Sequence, residues 1–339
     1  MDSLWDDLDS LVDSPAPVPV TSVHRGTVQP KADFDAGEDA AALKEAIEGI
    51  GTDEKVLVDI LTRRSGAQRQ LICEAYQEAA GRSLLEDLKG DTDDDFQHVL
   101  VALVTPLAAF DCHEVMRAMK GLGTEDSTLI EIFASRSNQQ VKALSDVYLQ
   151  ETEKLVTLDL KSELSGDFSE ALLLLAKGER DESRSVDTEQ AQEDAKTLYH
   201  AGEKKWGTDE APFIDILCKR SVAQLRQTLV AYKNLSGKTL QRSIEGEMSG
   251  NLEELLVAVV KCVKNIPAYF AERLHDSMKG GGTDERTLTR IMVGRSEIDL
   301  LDIRAEFKKL YECSLLSAIQ SDASGDYGEC LKIICGGDD

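Results

Sequence analysis

The chain has 339 residues, 42% of them hydrophobic and 30% charged, and a formal net charge of −25. Its length supports two to four compact units, and its charge makes naked nucleic acid or an acidic membrane a poor electrostatic partner unless a cation bridges the two. The longest apolar runs, such as Val99 to Val104, Ala171 to Ala176 and Leu255 to Val260, fall well short of the roughly 18 residues a bilayer span needs, and seven scattered cysteines with no CxxC pair argue against a zinc site or a disulfide framework.

The first residues carry Asp2, Asp6, Asp7 and Asp9 where a secretory signal would place basic residues and an apolar core, so the expected compartment is the cytosol. Met1, Leu4, Trp5, Leu8, Leu11 and Val12 fall on one helical stripe. Two readings compete here. Leu4, Trp5 and Leu8 could anchor an amphipathic helix in a partner's groove, or the segment could stay unstructured, since a helix of about 12 residues is marginal in water. Residues 1–33 form an N-terminal tail, of which Pro15, Pro17, Pro19 and Pro30 predict that residues 13–33 are irregular, and Ser14 before Pro15 is a candidate phosphorylation position.

From residue 34 the chain repeats itself. Gly49-Ile50-Gly51-Thr52, Gly121-Leu122-Gly123-Thr124, Lys205-Trp206-Gly207-Thr208 and Gly280-Gly281-Gly282-Thr283 are four versions of one turn. Forty positions after the last glycine of each stands an acid: Asp91, Glu163, Glu247 and Asp322. Arg64-Ser65, Arg136-Ser137, Arg220-Ser221 and Arg295-Ser296 recur at a fixed offset, as do Tyr76, Tyr148, Tyr232 and Phe307. The matched offsets define units over residues 34–105, 106–177, 189–261 and 265–336, with a polar surface linker at 178–188 expected to divide them two and two.

Within each unit the apolar period is helical, and nothing reads as a strand. In the first, Leu43, Ala46, Ile47 and Ile50 form one stripe, Val56, Leu57, Ile60 and Leu61 a second, Leu71, Ile72 and Tyr76 a third, and Phe96, Val99, Leu100 and Leu103 a last, with a short turn from Leu84 to Leu88 between. Thr52, Thr124, Thr208 and Thr283 sit where helix N-caps are expected. The repeated arginines are read as ties between helix ends within their own unit.

The chemistry of the turn points to calcium. Calcium takes six to eight oxygen ligands, commonly backbone carbonyls with a bidentate carboxylate; glycines let successive carbonyls converge and keep side chains away, and the distant acid closes the shell. A single such turn is more simply a helix C-cap followed by an N-cap. Four copies with a carboxylate at one offset favour the metal. Two or three carbonyls and one carboxylate leave about two of seven positions open, and an open shell can accept a phosphate oxygen. Asp91-Thr92-Asp93-Asp94-Asp95 is no EF-hand start, because Phe96 and Ala102 stand where glycine and glutamate are required. Without a nucleophile elbow, HExxH or P-loop, no enzymatic turnover is expected.

The Lys-Gly-x-Gly-Thr turn, its distant acid, the Arg-Ser pair and the unit of about 70 residues together resemble the annexins, over residues 34–336. Gly178 to Ser183 is similar to the connector of that family, and His24-Arg25-Gly26-Thr27-Val28 to one of its four-repeat vertebrate members. The resemblance implies an all-α fold of four homologous five-helix repeats forming a curved disc, with calcium loops on its convex face. It implies reversible, calcium-dependent binding to acidic phospholipid membranes by a cytoplasmic protein that becomes peripheral on them when calcium rises, and an S100-type EF-hand partner for the tail. The ligands it implies are the carbonyls of Ile47, Gly49 and Gly51 with Asp91; Met119, Gly121 and Gly123 with Glu163; Gly202, Lys205 and Gly207 with Glu247; and Met278, Gly280 and Gly282 with Asp322. Lys120, Lys279 and Trp206 would face the membrane. Trp206 reads equally as an indole inserted at the lipid interface or as a packing residue. Glu48 departs from the pattern, standing where Lys120 and Lys279 are basic, which predicts weaker lipid attraction at the first repeat.

Overall fold

Twenty α-helices and no strand are formed by the described residues, which are 24–49, 51–92, 94–121, 123–202 and 207–338 of this computed structural model. They fall into four sets of five. The first is α1 (Ala36–Glu48), α2 (Glu54–Arg63), α3 (Gly66–Ala80), α4 (Leu84–Asp91) and α5 (Asp94–Val104). The second is α6 (Leu107–Ala118), α7 (Asp126–Ser135), α8 (Asn138–Thr152), α9 (Val156–Glu163) and α10 (Gly166–Ala176). The third is α11 (Thr188–Ala201), α12 (Glu210–Lys219), α13 (Val222–Ser236), α14 (Leu240–Glu247) and α15 (Gly250–Lys264). The fourth is α16 (Ile266–Ser277), α17 (Glu285–Arg295), α18 (Leu300–Tyr311), α19 (Leu315–Asp322) and α20 (Gly325–Cys335).

Hydrophobic burial drives each set. In the first, Leu43, Leu57, Leu61, Ile72, Tyr76, Leu88, Val99 and Leu100 are wholly buried, as their helical spacing predicts. Leu71 departs from its predicted stripe and is 48% exposed. It precedes Ile72 by one position, a rotation of about 100° on a helix, and so falls off the buried face.

The Arg-Ser motif explains how three of the sets hold together. Arg64 donates through Nε and Nη2 to Asp39 at 2.6 and 2.9 Å, Arg136 to Asp111 at 2.7 and 2.7 Å, and Arg220 to Asp194 at 2.8 and 3.1 Å, each a two-pronged tie back to the first helix of its set. The adjoining serine caps the third helix: Ser65, Ser137 and Ser221 accept from the amides of Gln68, Gln140 and Gln224. In the fourth set Phe270 occupies the position of the aspartate. Arg295 therefore lies over the Phe270 ring, 4.7 Å from its centroid, and pairs with Asp299 at 2.6 Å. The aromatic position is also tied down, with the Tyr76 and Tyr148 hydroxyls donating to Asp87 and Asp159 at 2.6 Å.

The described residues gather into two compact units, but not as the linker suggests. One holds Asp111–Tyr269, the second and third sets; the other draws on Val20–Phe110 and Phe270–Asp339, the first and fourth. The expected division at residues 178–188 is thus corrected. Within each unit the second helix of one set packs on the fifth helix of its partner, reciprocally: α7 on α15 and α12 on α10, α17 on α5 and α2 on α20. The linker is not a free spacer either. Arg180 buries its guanidinium and donates to the carbonyls of Leu217 and Arg220 at 2.8 Å, while Asn138 exchanges two hydrogen bonds with the Arg180 backbone.

A strap from His24 to Lys31 plays the matching part in the other unit. The amides of Thr27 and Val28 donate to the Ser296 carbonyl, the Leu301 amide donates to the Arg25 carbonyl, and Lys31 exchanges two hydrogen bonds with Gln68. A Cβ on Gly26 would lie 2.6 Å from the backbone of Ser296 and Glu297, so only glycine permits this approach.

Two stability predictions follow from these contacts. Arg136→Ala leaves Asp111 buried without its partner and should cost about 3–5 kcal/mol in urea unfolding, whereas Arg63→Ala, which breaks the exposed pair with Asp59, should cost about 1 kcal/mol or less. Asp94 opens α5 in the left-handed region (φ 52°), where the other sets place Gly166, Gly250 and Gly325. Asp94→Gly should therefore raise stability by about 1 kcal/mol, and an unchanged unfolding midpoint would contradict this account of the strain.

Candidate functional site

The turn between the first two helices of every set is closed by the same backbone hydrogen bond. The amides of Asp53, Glu125, Asp209 and Asp284 donate to the carbonyls of Ala46, Ala118, Ala201 and Ser277 at 2.9, 2.7, 3.0 and 2.8 Å. The third loop is one residue longer between its closing partners than the other three. Each closure confines the glycine turn to a short loop, which limits how far its carbonyls can spread.

The N-cap is the acid after the threonine, not the threonine itself. Asp53, Glu125, Asp209 and Asp284 precede α2, α7, α12 and α17, and the Asp53 and Asp284 carboxylates accept from the amides of Val56 and Thr287. A carboxylate at this end of a helix gains from the dipole as well as from the hydrogen bond. With the acid as cap, the threonine hydroxyl is available to another partner. Thr52 and Thr208 reach the main-chain oxygens of Asp91 and Glu247 at 3.4 and 3.0 Å, and Thr283 reaches the Asp322 carboxylate at 2.6 Å. Loop and distant acid are therefore side by side in the first, third and fourth sets. In the second, Thr124 instead donates to Asp126, and Glu163 ends its own helix in solvent.

The glycines are selected in two ways. Gly123 and Gly207, with φ of 106° and 85°, occupy the left-handed region, and a Cβ on either would meet nothing within 4 Å. Backbone conformation rather than crowding requires them, and the loops are open outward. Gly49 is different: its φ of −67° suits any residue, but a Cβ would press on the carbonyls of Glu45 and Gly51 at 3.3 and 3.4 Å.

Asp91, Glu163, Glu247 and Asp322 are each the last residue of the fourth helix of their set. A carboxylate there faces the negative end of the helix dipole and its unpaired carbonyls, an arrangement that costs stability and that a cation would relieve. Asp91, Glu163 and Glu247 are exposed and Asp322 is half-buried. The side chains of Ile47, Met119 and Met278 are buried or half-buried, so only their carbonyls are candidate donors. Among the described residues no three His, Cys, Asp or Glu side chains gather closely enough to hold a metal; the loops offer backbone oxygen, a donor type suited to calcium rather than to softer metals. Lys120 and Lys279 are exposed. The exposed Glu48 is held by Arg82 at 3.0 Å and lies 4.0 Å from Lys44. Lys205 and Trp206, and in the tail Leu4, Trp5, Leu8 and Ser14, lie outside the described residues.

Two features were not foreseen in the sequence. Within the unit of the first and fourth sets is an acidic cleft of ≈ 350 Å³, lined by Asp94, Asp95, Glu285, Asp322, Asp326 and Tyr327 among others. In the other unit Asn251 donates to Asp126 across the second and third sets. Both depend on which sets are neighbours, which the repeat pattern alone leaves open.

An all-α chain of four five-helix sets, each with an open glycine loop and an acid at a helix end, defines a class. The annexin family model matches it four times, at residues 38–103, 110–175, 193–259 and 269–334. The chain belongs to the annexin family. It is 56% identical to Annexin A3 of Homo sapiens over 93% of this chain and 98% of that protein. Among solved structures it resembles annexin III, with a TM-score of 0.91 and 56% identity over 94% of this chain and all of that one; His24 to Val28 had pointed to this same member. It also resembles a calcium-bound annexin (Sm)1, with a TM-score of 0.82 and 37% identity over 93% of this chain and 94% of that one.

Because the acids oppose their helix dipoles, Glu163→Gln and Glu247→Gln should each stabilise the calcium-free chain by roughly 0.3–1 kcal/mol. Urea unfolding in excess chelator measures this. A loss of stability in both would contradict the proposed electrostatics.

Proposed function

We propose that this chain binds acidic phospholipid membranes reversibly through calcium shared between its loops and lipid phosphate, without catalytic turnover. The observation that carries the reading is the fourfold coincidence of an open, hydrogen-bond-closed carbonyl loop with an acid at the adverse end of a helix. The carbonyls of Ile47, Gly49 and Gly51 with Asp91, of Met119, Gly121 and Gly123 with Glu163, of Gly202, Lys205 and Gly207 with Glu247, and of Met278, Gly280 and Gly282 with Asp322 would hold the ion. Calcium, when bound, supplies positive charge and open coordination positions. A relative solved in a calcium-bound form supports calcium as the ion.

The chain's own residues set the rest. With one carboxylate each, the loops bind calcium weakly alone, in the range of about 10⁻⁴ to 10⁻³ M, so lipid and calcium reinforce one another by linkage. That reinforcement is what allows a protein of net charge −25 to dock on an anionic surface. Lys120 and Lys279 add attraction beside the second and fourth loops. At the first loop the Glu48 charge is already shared with Arg82, so its repulsion of lipid is softened rather than full. No helix among the described residues is long and apolar enough to cross a membrane, which suits docking at the surface.

Sedimentation with phosphatidylserine vesicles tests the proposal. Binding should appear with calcium, reverse with chelator and persist when residues 1–23, which precede the strap, are removed, and no binding at millimolar calcium would overturn it. Glu163→Ala, Glu247→Ala and Asp322→Ala should each raise the half-maximal calcium concentration by about fivefold or more.

A further inference from the structure

In the unit of the second and third repeats, a chain of three side chains crosses from one repeat to the next. Thr124 donates through Oγ1 to Asp126 Oδ1, and Asn251 donates through Nδ2 to Asp126 Oδ2. Thr124 directly follows Gly123, and Asn251 lies in the first turn of α15, four residues beyond Glu247. The carboxylate of Asp126 thus joins the loop of the second repeat to the segment that carries the acid of the third. Both bonds are charge-assisted, and therefore stronger than neutral ones.

The other unit lacks the chemistry for such a join. Counting from the repeated arginine, the counterparts of Asp126 and Asn251 are Glu285 and Asp95. Two ionised carboxylates are acceptors only and cannot bond to one another. They line the acidic cleft instead, and the loop hydroxyl of Thr283 is turned to Asp322 in its own repeat.

We propose that the Thr124–Asp126–Asn251 relay makes the second and third calcium loops fill as a coupled pair, while the fourth and first fill independently of each other. The inference rests on the calcium reading above. A cation held by the Gly123 carbonyl restricts Thr124, and through Asp126 it restricts Asn251 and the connection ending on Glu247. The third site is then ordered before its own ion arrives, and by thermodynamic reciprocity an ion at the third site favours the second equally. Asp126 and Asn251 are positioning residues that touch no ion. A shared bond is only a candidate path, so coupling must be measured directly.

The experiment is a calcium titration of the full chain in vesicle-free solution, read by Trp206 fluorescence in a Trp5→Phe background, which leaves one of the two tryptophans. Glu163→Gln should raise the midpoint seen at Trp206 by about fivefold or more, although Glu163 belongs to another repeat. With Asn251→Asp, or Asn251→Ala as a second variant, Glu163→Gln should produce no further shift. Asn251 is exposed, and thermal melting in chelator checks that each variant is folded. A midpoint unmoved by Glu163→Gln, or a shift that survives both Asn251 variants, would overturn the relay while leaving calcium binding intact. A Trp206 signal that ignores calcium altogether would overturn the third-loop assignment and the relay with it.

Discussion

Much of this molecule depends on one backbone hydrogen bond made four times, from the residue that caps the second helix of a repeat to a carbonyl in the last turn of the first. It sets the loop length and holds the glycines in a turn. It also leaves the cap to an acid, so that the neighbouring threonine can reach elsewhere. A loop of this kind would otherwise be a loose connection between two helices. Closed, it is confined to a few residues, and in the first, third and fourth repeats its threonine lies against the end of the fourth helix, where an acid stands against the dipole.

The same constraint explains why the repeats are alike in outline and unlike in detail. Three threonines reach the residue that bears the acid, but only Thr283 takes the carboxylate itself. The second has been drawn to Asp126 and thereby to a neighbouring repeat. These differences follow from reciprocal packing of second and fifth helices, which pairs the second set with the third and the fourth with the first. In one unit an aspartate meets an asparagine and the seam is bonded; in the other glutamate and aspartate line a cleft. A repeated fold therefore need not give equivalent sites.

The helical period, the repeat length and the acid at a constant offset were legible in the sequence because they are local or strictly periodic. The arginine ties were legible for the same reason, but their partners were not: Asp39, Asp111 and Asp194, and the Phe270 ring that stands in their place under Arg295, are given by the packed helices. Neighbour choice was not. Apolar stripes state that a helix face is buried without stating which repeat covers it, and the charged run at 178–188 looked like a divider because its composition is that of a surface loop. Arg180, whose guanidinium donates to the carbonyls of Leu217 and Arg220 and whose backbone is held by Asn138, reveals it as a clasp. The threonine was misread as a cap because it stands beside an acid, aspartate in three sets and glutamate in the second; the cap position falls on the acid, which gains from the helix dipole.

The most direct test of the account is a crystal structure of the chain grown with calcium, with ions located by anomalous scattering. The account predicts peaks in the glycine loops, about 2.3–2.6 Å from their carbonyl oxygens and within reach of Asp91, Glu163, Glu247 or Asp322. Calcium found in the acidic cleft beside Asp94, Asp95 and Asp326, with the loops empty, would contradict it.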